Sequence, residues 1–254
     1  MGRHLHFDCF SGVSGDMVLG ALVSAGLSWT SLVDGLKGLK LRGYRLQKRE
    51  VHRGALPAIK VDVIVQQGFQ RPLTLSRIRK ILADSTLPVP VKERSRLVFD
   101  RLAEAESLAH RVDVKDVHFH EVGVVDSFID VVGGVLGCYL LNATRVTASP
   151  INVGAGSIQT SHGLLPVPGP AVAALARGVP IYADGPRCEL ATPTGVALLR
   201  TLASEFGPLP TMRSMAVGYG AGDQNPDGWP NVLRLFVEEE SASTANQTER
   251  MIQI

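Results

Sequence analysis

In HLHFDCF, from His4 to Phe10, polar and apolar residues alternate, which predicts a strand because successive strand side chains point to opposite faces. A glycine-rich turn, SGVSGD, follows, and then MVLGALVSAGL, whose apolar spacing predicts a helix. The segment YRLQKREVHRGALPAIKVDVIV predicts two strands joined across Gly54 and Pro57, with Val61, Val63 and Val65 on one face of the second. Two helices are expected next, one near Leu75 to Leu82 and one from Val91 to His110 with Leu97, Val98, Leu102, Ala105 and Leu108 as its apolar stripe. A short strand around VHFHE and a helix from about Asp126 to Leu141 come after them. Beyond Asn142 the texture changes to glycine, proline and short strands, broken by a helix from Pro170 to Arg177 and a longer one from Thr194 to Phe206. VGYGAGDQNPDGWPNVLRLFV reads as two strands around a Gly/Pro/Asn loop. The pattern predicts an α+β fold: a mixed sheet of short strands, helices packed on it, and Gly-rich ligand loops at one rim. From residue 238 to 254 the chain turns polar and acidic, which predicts a disordered tail or linker after a domain spanning 1–237.

Composition narrows the function classes. The 254 residues carry 26 Lys plus Arg against 24 Asp plus Glu, a formal charge of +2, so there is no electrostatic footprint for nucleic acid. The start lacks a basic segment leading into an apolar core, and position 6 is His where a myristoylation motif wants Ser or Thr. The longest apolar run, VVGGVLGCYLL, is about half of the ~20 residues a spanning helix needs, so no membrane partner is expected. Cys9, Cys138 and Cys188 form neither a CxxC pair nor an even disulfide set, which points to the reducing cytoplasm.

Chemistry gathers in the loops. A strand running into a Gly/Ser turn and a helix start, FDCFSGVSGDM, aims backbone N–H groups outward, which suits a phosphate or carboxylate, and Ser11, Gly12, Ser14 and Gly15 are the residues of that cradle. Asp8 and Asp16 are negative, so an anion there needs a metal between; they can be metal ligands, or Ser14 or Asp16 can be a plain helix N-cap. GAGSIQTSHGLLPVPGPA brings His162 beside Gly154 and Gly156, whose missing side chains permit close backbone approach. ELATPTG adds Glu189, Thr192 and Thr194 ahead of a helix, and GYGAGD ends in Asp223. Four such loops together suggest a ligand rim.

The densest segment is VHFHEVGVVDSFID, Val117 to Asp130, with two His, one Glu and two Asp in fourteen residues. On a strand His118 and His120 share a face, and on a helix Asp126 and Asp130 share one as well. Imidazoles and carboxylates aimed at one point suit a divalent transition metal such as Ni, Mn or Zn. The competing reading is that Asp126 caps the helix, Val117 and Phe119 face the core, and one His is a satisfied polar residue.

Taken in order, DCFSGVSGDM, HFHEVGVVDSFIDVVG, SPINVGAGSIQTSHGLLPVPGPA, ELATPTGVALL and VGYGAGD…PNVLRLFV closely resemble the LarC family of nickel-insertion proteins, from Leu5 to about Val237. The resemblance implies a CTP-dependent nickel metallocyclase, a lyase that inserts nickel into pyridinium-3,5-bisthiocarboxylic acid mononucleotide to make the pincer cofactor of lactate racemase-type enzymes. It implies activation by CTP, with Mg or Mn, through a cytidylylated intermediate, followed by nickel–sulfur and nickel–carbon bonds. Carried over by motif, Asp8, Asp16, His118, His120, Glu121, Asp126, Asp130 and His162 are the expected functional positions; side-chain chemistry then assigns Asp8, Asp16 and Glu121 to catalysis, and the loop residues Ser11, Gly12, Ser14, Gly15, Gly154, Gly156, Thr192 and Thr194 to substrate or cofactor binding. His118, His120, Asp126, Asp130 and His162 fall to the metal.

Two departures shape what is expected. Many relatives carry a His-rich insertion where this chain has QQGFQRPLTLSRI, so nickel storage is not expected. Relatives typically continue into a C-terminal domain to which CTP binding is assigned, so this chain resembles the N-terminal, metal-handling part, half of a split pair or a truncated product. It carries no Walker-type loop, and CTP is expected on that other part, whether a separate LarC polypeptide or not. An apo client enzyme or other pincer-pathway proteins are the remaining partners implied. Two other classes compete: a nickel carrier without turnover, serving a separate nucleotide-binding partner, and a metal-dependent hydrolase of a phosphorylated small molecule.

Overall fold

The computed structural model describes residues 1–69, 73–117, 119, 125–160 and 163–240. The chain opens with β1 (Arg3–Asp8), α1 (Gly15–Ser24), α2 (Trp29–Lys37) and the hairpin β2 (Tyr44–Arg53) and β3 (Leu56–Val65). Helices α3 (Leu75–Asp84), α4 (Val89–His110) and α5 (Val125–Leu140) follow, with a 3-10 turn at Val114–Asp116. The glycine-rich part holds β4 (Ala143–Ala148), β5 (Ile151–Asn152), β6 (Ser157–Thr160), β7 (Gly163–Pro166), α6 (Pro170–Leu175) and β8 (Ile181–Tyr182). It closes with α7 (Pro193–Leu202), β9 (Glu205–Phe206), β10 (Ser214–Ala221) and β11 (Val232–Glu239).

Seven strands form one mixed sheet in the order β2-β3-β10-β11-β1-β4-β9, the α+β architecture that the alternation predicted. β11 lies at its centre, with β1 beside it, antiparallel to β11 with Asp8 opposite Arg234, and parallel to β4. Alternation sends Leu5, Phe7, Leu233, Leu235 and Val237 into one core with the helices, and puts His4 and His6 on the opposite face. Those two imidazoles are buried and share the Thr147 hydroxyl, each at 2.8 Å. Since that hydroxyl has one proton to give, one of the imidazoles must present its own N–H to it.

Helix ends follow local capping chemistry. The Ser28, Thr74 and Thr192 side chains each accept the backbone N–H three residues on, supplying an acceptor the first turn lacks. α4 ends where Arg111 turns left-handed at φ 55°.

α1 is held between the sheet and α5 by glycine contacts on both sides. A Cβ on Gly20 would lie 2.2 Å from the Ile59 carbonyl oxygen, and one on Gly220 would lie 1.9 Å from the Met17 carbonyl oxygen, so the helix rests directly on β3 and β10. On its other side Leu19 and Leu22 pack against Gly133 and Gly137 of α5. This packing brings the starts of α1 and α5 to the same place.

The structure corrects three expectations. GYGAGD is not a ligand loop over its glycine pair: Gly218 and Gly220 lie inside β10, where they let α1 approach, and only Gly222 and Asp223 lie past the strand. The last helix ends at Leu202 because Ala203 is extended (ψ 129°) and Ser204 donates to the Val146 carbonyl at 2.8 Å, which starts β9 beside β4. α2 forms where no helix was expected, capped by Ser28. The strand expected around VHFHE and most of the expected tail, residues 241–254, lie outside the described residues; Val117 and Phe119 are buried in the core.

Candidate functional site

The starts of α1, α5, α6 and α7, the middle of β3 and the loop after β10 enclose a cavity of about 630 Å³. Helix N-termini carry unpaired N–H groups and partial positive charge, so four of them at one cavity raise the potential of an otherwise acidic wall. That wall holds Asp16, Asp62, Asp126, Asp130, Glu189 and Asp223, and at the C-terminal end of α4 Glu106 paired with His110 at 3.2 Å, with Lys60 as its one lysine and no arginine among the described residues.

Asp16 is the best-fixed of these carboxylates. One oxygen accepts the Met17 N–H at 2.9 Å and the Ser14 hydroxyl; the other pairs with the Lys60 ammonium. Ser14 sits at the N-cap position without a capping bond, so it serves Asp16 rather than the helix end. Lys60 projects from β3 with its side chain only 4 % exposed, and a lysine buried that far must be paired. Its outer partner is Asp223 at 2.7 Å, and Asp62 stands at 3.9 Å. Burial pulls the ammonium toward the neutral amine, but Asp16 and Asp223 outweigh it and hold its pKa above the ordinary lysine value.

Asp130 is the opposite case. Gly15 makes room for it, since a Cβ there would meet the Asp130 Cβ at 2.6 Å. Asp130 Oδ1 is buried with no hydrogen-bond partner among the described residues. Burial, then the charges of Asp16 and Asp126, push its carboxyl well above the usual range. A buried carboxylate oxygen without a donor is costly, and either a proton or a cation relieves it. Asp126, one turn earlier, lies within the first turn of α5 and accepts the Ser127 N–H at 2.8 Å, so it is not the residue before the helix that a cap would be, and it lines the cavity.

The cavity thus gathers Ser14, Gly15, Asp16, Asp126, Asp130, Thr192 and Thr194 from the residues singled out in the sequence. It does not gather Asp8, Ser11, Gly12, Gly154 or Gly156, none of which lines it. Asp8 is held by Arg234, whose Nε donates at 3.0 Å. Ser11 accepts the Trp229 indole N–H at 2.8 Å. Gly12 and Gly154, at φ 78° and 79°, let loops cross: a Cβ on either would lie 2.0 Å from the carbonyl oxygen of Leu190 or Cys188. His118, His120, Glu121 and His162 lie outside the described residues. Among the described residues no group of three or more His, Cys, Asp or Glu is arranged to hold a metal ion.

Lys60, Asp62, Glu106 and His110 line the cavity without standing out in the sequence as site residues. Lys60 sits in an alternating strand, where lysine ordinarily marks a solvent face; only its placement beside Asp62 within an apolar run hinted otherwise. Asn152, fully buried, ties three loops together: its amide donates to the carbonyls of Phe10 and Asp184 and its oxygen accepts from Gly154 and Asp184, all at 2.8–3.1 Å.

The family described as nickel insertion protein matches residues 5–254. The chain belongs to that family. It is 47% identical over 234 residues to the pyridinium-3,5-bisthiocarboxylic acid mononucleotide nickel insertion protein of Desulfitobacterium hafniense (strain DSM 10664 / DCB-2), covering 92% of this chain and 58% of the relative. It is 48% identical over 230 residues to the protein of the same description from Nocardioides sp. (91% and 58%), and 44% identical over 236 residues to a putative nickel insertion protein of Syntrophobacter fumaroxidans (93% and 60%). The chain thus spans roughly three fifths of the length of these curated relatives. No solved structure matches it. In this member of the nickel insertion family, no described helix is long and apolar enough to cross a membrane.

Proposed function

We propose that this chain handles nickel and the nucleotide substrate in nickel insertion into pyridinium-3,5-bisthiocarboxylic acid mononucleotide, with nickel as a substrate of the reaction. The observation that carries the reading is Asp130: a buried carboxylate oxygen without a donor among the described residues, on the wall of a cavity large enough for a mononucleotide, beside Asp16 and Asp126. Of the two things that relieve such an oxygen, a proton or a cation, nickel is the cation this reading supplies. The acidic wall also suits the positive pyridinium ring, while the helix N-termini suit the phosphate. His118, His120 and His162 supply imidazoles, which nickel favours over oxygen alone. CTP, with Mg or Mn, is the activating co-substrate in this reading and engages the portion of the longer relatives that this chain does not span.

The test incubates the chain with the mononucleotide, Ni²⁺, CTP and Mg²⁺ or Mn²⁺, with and without a polypeptide corresponding to that remaining portion, and follows the nickel-containing product by mass spectrometry. Product is expected in the complete mixture, with a large loss for Asp130→Asn and for His120→Gln at unchanged thermal stability. Nickel binding and product formation untouched by both substitutions would overturn the assignment. Turnover of simple phosphate esters without CTP would favour a hydrolase instead.

A further inference from the structure

The cavity's one ammonium has two carboxylate partners of very different character. Asp16 is the inner partner, fixed by the Ser14 hydroxyl and the Met17 N–H on its other oxygen. Asp223 is the outer partner: its side chain is 86 % exposed, yet its carboxylate reaches a Lys60 ammonium whose side chain is 4 % exposed. Asp16 cannot leave without stranding buried groups, whereas Asp223 loses little by turning back to water.

The geometry points to Lys60 as the residue that orients the ligand, by binding one of its planar carboxylate-like anions, a thiocarboxylate, in the place that Asp223 occupies. This rests on the substrate proposed above. A thiocarboxylate matches the Asp223 carboxylate in charge and nearly in shape. Lys60 is the one ammonium on the described wall, and the imidazole there, His110, is already engaged by Glu106 at 3.2 Å, so an anionic arm of the ligand is drawn to Lys60, leaving the cationic ring and any nickel to the carboxylates, Asp126 and Asp130 among them. Asp62, held by Arg49 Nε at 2.8 Å, stays outside this exchange.

The test measures binding of two probes to the full chain by calorimetry. One is the oxygen analogue, pyridinium-3,5-dicarboxylic acid mononucleotide; the other is nicotinamide mononucleotide, which keeps ring, ribose and phosphate but carries an uncharged carboxamide. For Lys60→Met we expect roughly tenfold to hundredfold weaker binding of the dicarboxylate, the scale of one hydrogen bond to a charged group, with the carboxamide probe changing less than about twofold. Asp223→Asn removes the competing carboxylate and is expected to tighten the dicarboxylate several-fold. Equal weakening of both probes by Lys60→Met would assign Lys60 to the phosphate and overturn the inference. So would unchanged dicarboxylate binding by Lys60→Met while the parent binds it, a result that leaves the nickel-insertion reading standing. If Lys60→Met does not fold, Asp223→Asn decides, and unchanged or weaker binding there overturns the inference. A parent chain that binds neither probe overturns the substrate reading itself.

Discussion

Gly220→Ala tests the contact that places α1. A methyl at this position would lie 1.9 Å from the Met17 carbonyl oxygen, 2.4 Å from the Ala21 nitrogen and 2.8 Å from the Met17 carbonyl carbon. All three are helix backbone, so no side-chain rotation relieves the overlap, and α1 must lift from β10 by an ångström or so. Its other side is already filled: Leu19 and Leu22 touch Gly133 and Gly137 of α5. Overpacking a well-filled core costs roughly 1–3 kcal/mol and occasionally more, and a backbone-to-backbone clash belongs at the upper end, about 3 kcal/mol. For a chain of this length each kcal/mol moves Tm by roughly 2–4 °C, so a fall of about 6–12 °C is expected. The assay is thermal unfolding followed by circular dichroism, beside Gly207→Ala, where a Cβ meets nothing within 4 Å. The control is expected within about 0.5 kcal/mol of the parent. Because Asp16 sits in the first turn of α1, Gly220→Ala should also weaken ligand binding in the cavity. A Tm for Gly220→Ala indistinguishable from that of Gly207→Ala would refute the close-packing argument.

Two further outcomes are expected. Burial holds the His4 and His6 imidazoles below their ordinary pKa, so below about pH 6.5 the unfolded chain binds more protons than the folded one and stability falls as the pH drops. Asp130 acts in the opposite sense, its raised pKa favouring the folded state on acidification, so the informative quantity is the difference between parent and His6→Gln in urea titrations from pH 7.5 to 5.5. A loss on acidification equally steep in both would exclude His6 as a source. Asn152→Ala strands backbone groups of Phe10, Gly154 and Asp184, and should cost about 3 kcal/mol in denaturant unfolding; a cost under about 1 kcal/mol would mean that the loops find other partners.

The sequence by itself determined the elements whose signal is periodic and local. β1, the β2–β3 hairpin, α4 and α5 form within a few residues of where alternation and apolar spacing put them, because a strand or an amphipathic helix must bury one face whatever it packs against, although of the stripe expected on α4 only Val98, Leu102 and Ala105 are buried, while Leu97 and Leu108 are exposed. The carboxylates and hydroxyls that line the cavity were legible for a similar reason: Asp16, Asp126, Thr192 and Thr194 stand at helix starts, with Asp130 one turn after Asp126 on the same face, and loops that carry function gather on a rigid scaffold. Tertiary structure decided which glycines serve packing and which serve a cavity. Gly15, Gly20, Gly218 and Gly220 look alike in sequence, yet each is required by a different neighbour distant in the chain: Asp130, the Ile59 carbonyl, and two carbonyls of α1. It also decided the fates of two charged groups. Asp8 turned from a candidate catalyst into the partner of Arg234 through antiparallel register with β11, 226 residues away. Lys60 turned inward because α1 laid Asp16 against its strand, an outcome that depends on a contact across 44 residues and that the strand's own alternation barely signals.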